Sequence, residues 1–184
     1  MKHAAGILVL SLVLPVLAKS ADLMEEATAP AEIARDEARA ILVIHSNTNF
    51  HIFKGVWDYF VDNKHIGQDK KNSYFITAVE PGEHWIFFSI KDKIMNTGKI
   101  TFEAGKIYYV LRKAVPGGCI MTTQSPEQFA AYLKEDEPLY LTYKPDDDLP
   151  ELDEDDIADE KEEFEEEAQE DPEKHADVLD YTGY

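Results

Sequence analysis

Six short apolar segments, spaced about ten residues apart between Ala40 and Lys113, constrain this chain more than any other feature. Ala40–His45 reads AILVIH, Val56–Asp62 reads VWDYFVD, and Ser73–Glu80 follows the Asn63-Lys64 turn and the His65-Ile66-Gly67 lead-out. Pro81-Gly82 then marks a turn before Glu83–Ile90, which carries Trp85, Phe87 and Phe88. Gly98–Glu103 and Ile107–Lys113 flank the turn Ala104-Gly105-Lys106. Segments this short, rich in β-branched and aromatic residues and bounded by turn signals, read as strands of a sandwich or small barrel. Connections this short favour antiparallel pairing, because parallel neighbours need a long crossover. The expected fold is therefore mainly β: a small antiparallel β-sandwich of about six to seven strands over residues 40–145.

Pro116-Gly117-Gly118 ends the strand pattern. Ser125-Pro126-Glu127 has the order of an N-cap, a first-turn proline and an acidic first turn, which predicts one short C-terminal helix running to about Leu133. Phe129, Tyr132 and Leu133 would then face the sheet. Leu139–Tyr143 has the alternation of a last strand. Ahead of the domain, residues 22–39 read as a linker or a short helix beginning near Pro30.

The two ends of the chain differ from this middle. Lys2 and His3 precede an apolar run from Ala4 to Leu17, and small residues follow at Ala18, Ser20 and Ala21. That order is the pattern of a signal peptide over residues 1–21, and the run is shorter than the roughly 18 to 20 residues a spanning helix requires. The expected location is periplasmic or extracellular, with no stable membrane span after processing. N-terminal sequencing of the mature protein should begin just after one of the three small residues; a start at Met1 would refute export by this route.

At the other end, residues 146–184 hold 20 acidic side chains against Lys161 and Lys174, a net −18 out of −19 for the chain. Residues 1–145 hold 17 acidic against 16 basic and are nearly neutral. A segment this charged and poor in apolar residues is expected to be a disordered acidic tail. Residues 158–170 have the propensity for a transient helix, opposed by glutamates four apart. Such a tail repels phosphates, which argues against nucleic-acid binding; it reads as a solubilising, repulsive segment, with a lure for a basic partner as the sharper alternative.

Three strings in order resemble a known family. They are YFVDNKHIG at 59–67, SYFITAVEPGEH at 73–84 and FEAGKIYYVLRK at 102–113. Together they resemble an uncharacterised bacterial family of small exported β-rich domains, domain of unknown function 2846, with some likeness to PEGA-type envelope domains. Asp62, Asn63, Lys64 and Gly67 fit its first element, with Asn63 where glycine is usual. Tyr74, Phe75, Val79, Pro81, Gly82 and His84 fit the second, and Ala104, Gly105, Lys106, Tyr108 and Tyr109 the third. The resemblance implies a sandwich in the cell envelope and implies no reaction. The family's lipid-attachment cysteine has no counterpart after the apolar run.

Residues with chemical potential are few. His45, His51 and His65 lie in or beside loops in this reading, His84 begins a strand, and none has the spacing of a metal motif. His84 is expected to cap a hairpin at the sheet edge. Cys119 is the chain's one cysteine; with no redox motif around it, it reads as an inert thiol, with a disulfide dimer between chains as the alternative. Asp58 and Asp62 read as solvent-facing residues of a half-buried strand, or else as paired carboxylates for acid–base work. Tyr59, Tyr74, Tyr108, Tyr109, Trp85 and Phe87 read as core and sheet-pairing residues. No catalytic residue, cofactor or metal ligand is assigned. Phe50 and Phe53, in the polar loop from His45 to Gly55, are the candidate partner contacts. These features point to a non-catalytic interaction or structural domain. A glycan- or small-ligand-binding domain is the alternative, and a hydrolase-like enzyme a more distant one.

Overall fold

Ile41-Leu42-Val43-Ile44 is apolar at every position, a pattern that suits a strand buried on both faces rather than on one. The computed structural model describes residues 22–47, 55–90, 93–115, 118–144 and 149–170, together with Gly183, and it gives that strand two apolar neighbours. Leu42 and Ile44 point into the main core and Ile41 and Val43 into a second one.

The strands are β1 (Met24–Glu26), β2 (Ala40–Asn47), β3 (Trp57–Val61), β4 (Lys64–Asp69), β5 (Ser73–Val79), β6 (Gly82–Ile90), β7 (Lys93–Phe102), β8 (Ile107–Val115), β9 (Gly118–Gln124) and β10 (Leu139–Tyr143). Helix α1 spans Pro126–Asp136 and helix α2 spans Glu154–Glu170. Six strands form one sheet in the order β1-β10-β5-β2-β8-β9, and four form a second in the order β4-β3-β6-β7. The inner faces meet in a core that includes Leu42, Ile44, Phe75, Tyr108 and Val110 from the first sheet. Trp57, Tyr59, Ile86, Phe88 and Phe102 meet them from the second. On the outside of the first sheet, Ile41, Val43, Tyr74, Ile107 and Tyr109 pack beneath Phe129 and Tyr132 of α1. On the outside of the second, Phe60, Trp85 and Phe87 pack beneath Ile157 and Phe164 of α2. The layers run helix, sheet, sheet, helix.

The mainly β fold with two packed sheets agrees with the expected class, and the details correct it. Among the described residues ten strands replace six or seven, because β1, β4 and β9 and the first half of β7 carry too few apolar residues to signal themselves. Pairing is not wholly antiparallel: β2 and β8 run parallel from Ile41↔Ile107 to Asn47↔Lys113, and β10 runs parallel to β5. The whole second sheet lies in the chain between β2 and β8, so the crossover that parallel pairing needs is present. Short connections constrain only strands adjacent in sequence.

Helix α1 begins where expected. The Ser125 hydroxyl accepts from Gln128 N at 3.2 Å, and the Gln128 carboxamide accepts from Ser125 N at 2.7 Å. This reciprocal box satisfies two of the helix's orphan donors. Phe129 and Tyr132 turn to the sheet as expected, whereas Leu133 is exposed. Residues 22–39 form no helix: β1 adds to the sheet beside β10.

The acidic segment is the largest correction. Of the disordered tail expected over residues 146–184, the stretch 154–170 forms a helix, while residues 146–148, 171–182 and 184 lie outside the described residues. Two apolar residues seven apart, two turns of helix, suffice to hold it against an aromatic surface.

Candidate functional site

Strand alternation builds the floor of the site. In β3, Tyr59 and Val61 point inward and Phe60 outward; in β6, Ile86 and Phe88 point inward and Trp85 and Phe87 outward. Phe60, Trp85 and Phe87 thus form an aromatic patch on the outer face of the second sheet. Helix α2 lies across it. The Phe164 ring meets Trp85 edge-on, with centroids 5.7 Å apart and planes at 89°. Ile157 is buried beside it, with Leu152 and Ile94 at the margins.

Polar contacts fix the position of the helix. The backbone of Leu152 donates to Asn63 O at 3.2 Å, and Glu151 bridges Lys64, so the chain enters α2 along the β3–β4 turn. Asp153 caps the helix, its carboxylate accepting from Asp155 N at 2.9 Å. Asn96 of β7 donates to Glu160 O at 3.3 Å. Lys99 sits 3.6 Å from Glu165 and 4.8 Å above the Trp85 ring, and Lys161 approaches the same ring at 5.6 Å.

The helix is poorly made for independence. It carries eleven acidic residues and one lysine. Acidic pairs four apart, such as Asp155–Asp159 and Glu162–Glu166, repel. Glu154, Asp155 and Asp156 suit the positive N-terminal end, but the last turn holds acidic residues and no base, which opposes the macrodipole. Tertiary docking therefore supplies what local propensity lacks. Burial, followed by the nearby Glu163, raises the pKa of Glu160. Replacing Phe164 with Ser should release α2, and its amides should then exchange within seconds at pH 7 while those of β6 remain protected.

Grooves flank the helix. One of about 420 Å³ is lined by Asp62, Asn63, Glu154, Ile157, Ala158 and Lys161. Another of about 210 Å³ lies between β7 and the far side of α2. Asp62 adopts a left-handed conformation, φ 55°. Its carboxylate reaches His84 Nδ1 at 2.8 Å and accepts from Trp85 N at 3.1 Å. These bonds fix the turn from which the larger groove is built.

A second polar constellation is sealed inside the sandwich. Arg112 of β8 donates to both oxygens of Asp69 of β4, at 2.9 and 2.8 Å. Tyr59 donates to Asp69 at 2.8 Å, and the Arg112 guanidinium lies 4.6 Å from the Trp57 ring. Burial raises the pKa of Asp69, with the Arg112 charge as the main opposing influence. Burial likewise pushes Tyr59 well above the ordinary tyrosine value. Nearby, His65 Nε2 lies 2.9 Å from Asp58 and Nδ1 lies 2.9 Å from the Tyr143 hydroxyl. Gln68 donates to the same Asp58 carboxylate at 2.6 Å. A histidine–carboxylate pair can act as a general base when a substrate reaches it. Here both ring nitrogens are engaged and the His65 side chain is fully buried, so the group ties β3, β4 and β10 together.

These positions revise the sequence reading residue by residue. Asp58 is buried instead of facing solvent, because His65 and Gln68 close over it. It does not pair with Asp62, which stands at the α2 groove. His45 lies within β2 and is buried. His84 lies in a strand as expected, but β6 is an inner strand between β3 and β7 rather than a sheet edge, and its partner Asp62 was not foreseen. Tyr59, Tyr74, Tyr108, Tyr109, Trp85 and Phe87 are all buried. Cys119 falls in β9. Phe50 and Phe53, the candidate contacts, lie outside the described residues. The Arg112–Asp69 pair has no sequence signal: Arg112 is a charge within the largely apolar β8, but Asp69 ends the polar strand KHIGQD.

Among the described residues, no group of three or more His, Cys, Asp and Glu side chains is placed to hold a metal ion. No family model matches the chain, and no curated protein matches it.

Proposed function

We propose that this chain is a non-catalytic interaction domain of the cell envelope, periplasmic or secreted, and that it presents helix α2 to a basic partner. The carrying observation is that α2 is held as a fixed ridge on the aromatic face, with eight exposed carboxylates between Glu154 and Glu166. A fixed array of like charges gives register and orientation as well as long-range attraction. The N-terminal pattern of residues 1–21 and the resemblance of residues 59–113 to exported β-rich domains support the envelope location. Phe50 and Phe53 remain candidate contacts of the same domain.

The test is crosslinking and pull-down from the native envelope with three forms of the chain. The full chain should retain a specific partner. The double variant Ile157→Ser/Phe164→Ser keeps every charge but undocks the ridge, and it should bind at least about tenfold more weakly. A chain ending at residue 145 should lose the partner. Binding by the full chain should also weaken steeply above 0.15 M salt, where the screening length is only about 8 Å. If the undocked variant binds as well as the full chain, charge alone is being read and the ridge is incidental.

The groove beside α2 favours one second reading, a soluble domain for a glycan or other small ligand. Its volume of about 420 Å³ falls within the roughly 300–1,000 Å³ of small-ligand sites. A small molecule retained by the purified chain, together with no envelope partner for any form, would establish that reading instead.

A further inference from the structure

His45 stands on the outer face of β2, with Tyr74 of β5 and Leu111 of β8 as its cross-strand neighbours. It is 2% exposed. Its ring lies 5.2 Å from that of Phe129 and 4.5 Å from that of Tyr132, both on α1. Neither Nδ1 nor Nε2 has a hydrogen-bond partner among the described residues. A neutral imidazole carries one N–H donor, and the imidazolium carries two and a charge. The seat thus holds the neutral ring at some cost and the charged ring at a far larger one.

Among the described residues no carboxylate packed around the ring compensates a positive charge, and the π faces of Phe129 and Tyr132 offset only part of its cost. The titratable groups that face it are the hydroxyls of Tyr74 and Tyr132, both shifted upward by burial and so uncharged in acid. On α1, Glu127, Lys134, Glu135 and Asp136 are exposed. On β8, Arg112 is committed to Asp69 on the inner side of the sheet, and Lys113 is exposed.

We propose that His45 is an acid-sensitive latch: protonating its ring releases helix α1 from the first sheet and uncovers the apolar face of Ile41, Val43, Tyr74, Ile107 and Tyr109. The helix is the element that yields. It holds the sheet through two buried side chains, Phe129 and Tyr132, whereas β2 is hydrogen-bonded on both edges, to β5 and β8. Elements with few buried contacts open first.

The sign follows from proton binding. Burial lowers the His45 pKa from 6.5 to about 4 with α1 in place. The closed form thus binds fewer protons than the open form. Its advantage is complete above pH 6.5 and is lost as pH falls toward 4. The open-to-closed ratio should rise about 20-fold from pH 7 to pH 5, and on the order of 10²-fold by pH 3.5.

Amide hydrogen exchange on the full chain tests this, with rates corrected for the intrinsic effect of pH. Opening of residues 129–136 should rise about 20-fold between pH 7 and pH 5 while residues 41–45 change little. In His45→Leu the opening of α1 should be flat over that range. The latch is overturned if wild-type α1 opening ignores pH, if His45→Leu keeps the wild-type dependence, or if α1 and β2 open together. Should His45→Leu fail to fold, His45→Gln serves as the uncharged variant. An NMR titration of the wild-type ring provides an independent reading, and a midpoint near 6.5 with α1 closed would also overturn the proposal.

Discussion

Asp69→Asn should destabilise the protein by about 3–5 kcal/mol, and Arg112→Met by a similar amount. Each change leaves one member of a bidentate ion pair in the interior without its counter-charge. The side chain of Asp69 is fully buried and that of Arg112 is 3% exposed, so water cannot take the lost partner's place. A domain of this size is stable by roughly 5–15 kcal/mol, which makes either loss a large fraction of the whole. Urea unfolding of both single variants and of Arg112→Met/Asp69→Leu is the measurement. The double variant should be markedly more stable than the sum of the two singles predicts, because it removes the unpaired charge along with the pair. Simple additivity would mean that the pair does not act as a unit. The geometry also says what the pair does: it joins β8 of the first sheet to β4 of the second across the core.

Gly67→Ala should cost about 3 kcal/mol or more, the upper end of what overpacking a core commonly costs. A Cβ at this position would lie 2.3, 2.5 and 2.8 Å from atoms of the Phe75 ring. Phe75 is fully buried and packs on Tyr59 with centroids 5.4 Å apart. The ring therefore has little room to move. Gly67 pairs with Tyr59 next to the register shift between β3 and β4, so the backbone itself runs against the ring. Combining Gly67→Ala with Phe75→Leu should recover part of the loss, a coupling visible as a double variant more stable than the singles sum to. A Gly67→Ala protein with wild-type stability would show that β4 can withdraw from the core at no cost. Gly67 also closes the YFVDNKHIG string, and this contact is a physical reason for glycine there.

Much of the fold was legible because strands buried on a core announce themselves. AILVIH, SYFITAV and IYYVLRK are strands where expected, and the Ser125 cap opens α1 as its residue order requires. The polar strands were not legible. KHIGQD and GCIMTTQ belong to sheets only because neighbouring strands complete their hydrogen bonds, and register with a distant partner leaves no local trace. The candidate site was the least legible part. Ile157 and Phe164 are the two large apolar residues within seventeen, too few for an amphipathic pattern. They become anchors only where Phe60, Trp85 and Phe87 emerge on the same face, which alternation along β3 and β6 fixes once the sheets have paired.

The sequence alone determined where most strands lie, where α1 starts, and that charge is concentrated at one end of the chain. These are local properties of side-chain size, turn chemistry and composition. Only the tertiary structure decided that β2 and β8 run parallel, that Arg112 meets Asp69 between the sheets, that His45 is shut beneath α1, and that an acidic segment is ordered as α2. Each depends on a surface assembled from residues far apart in the chain. The interaction that decides the outcome therefore does not exist until the sheets have formed.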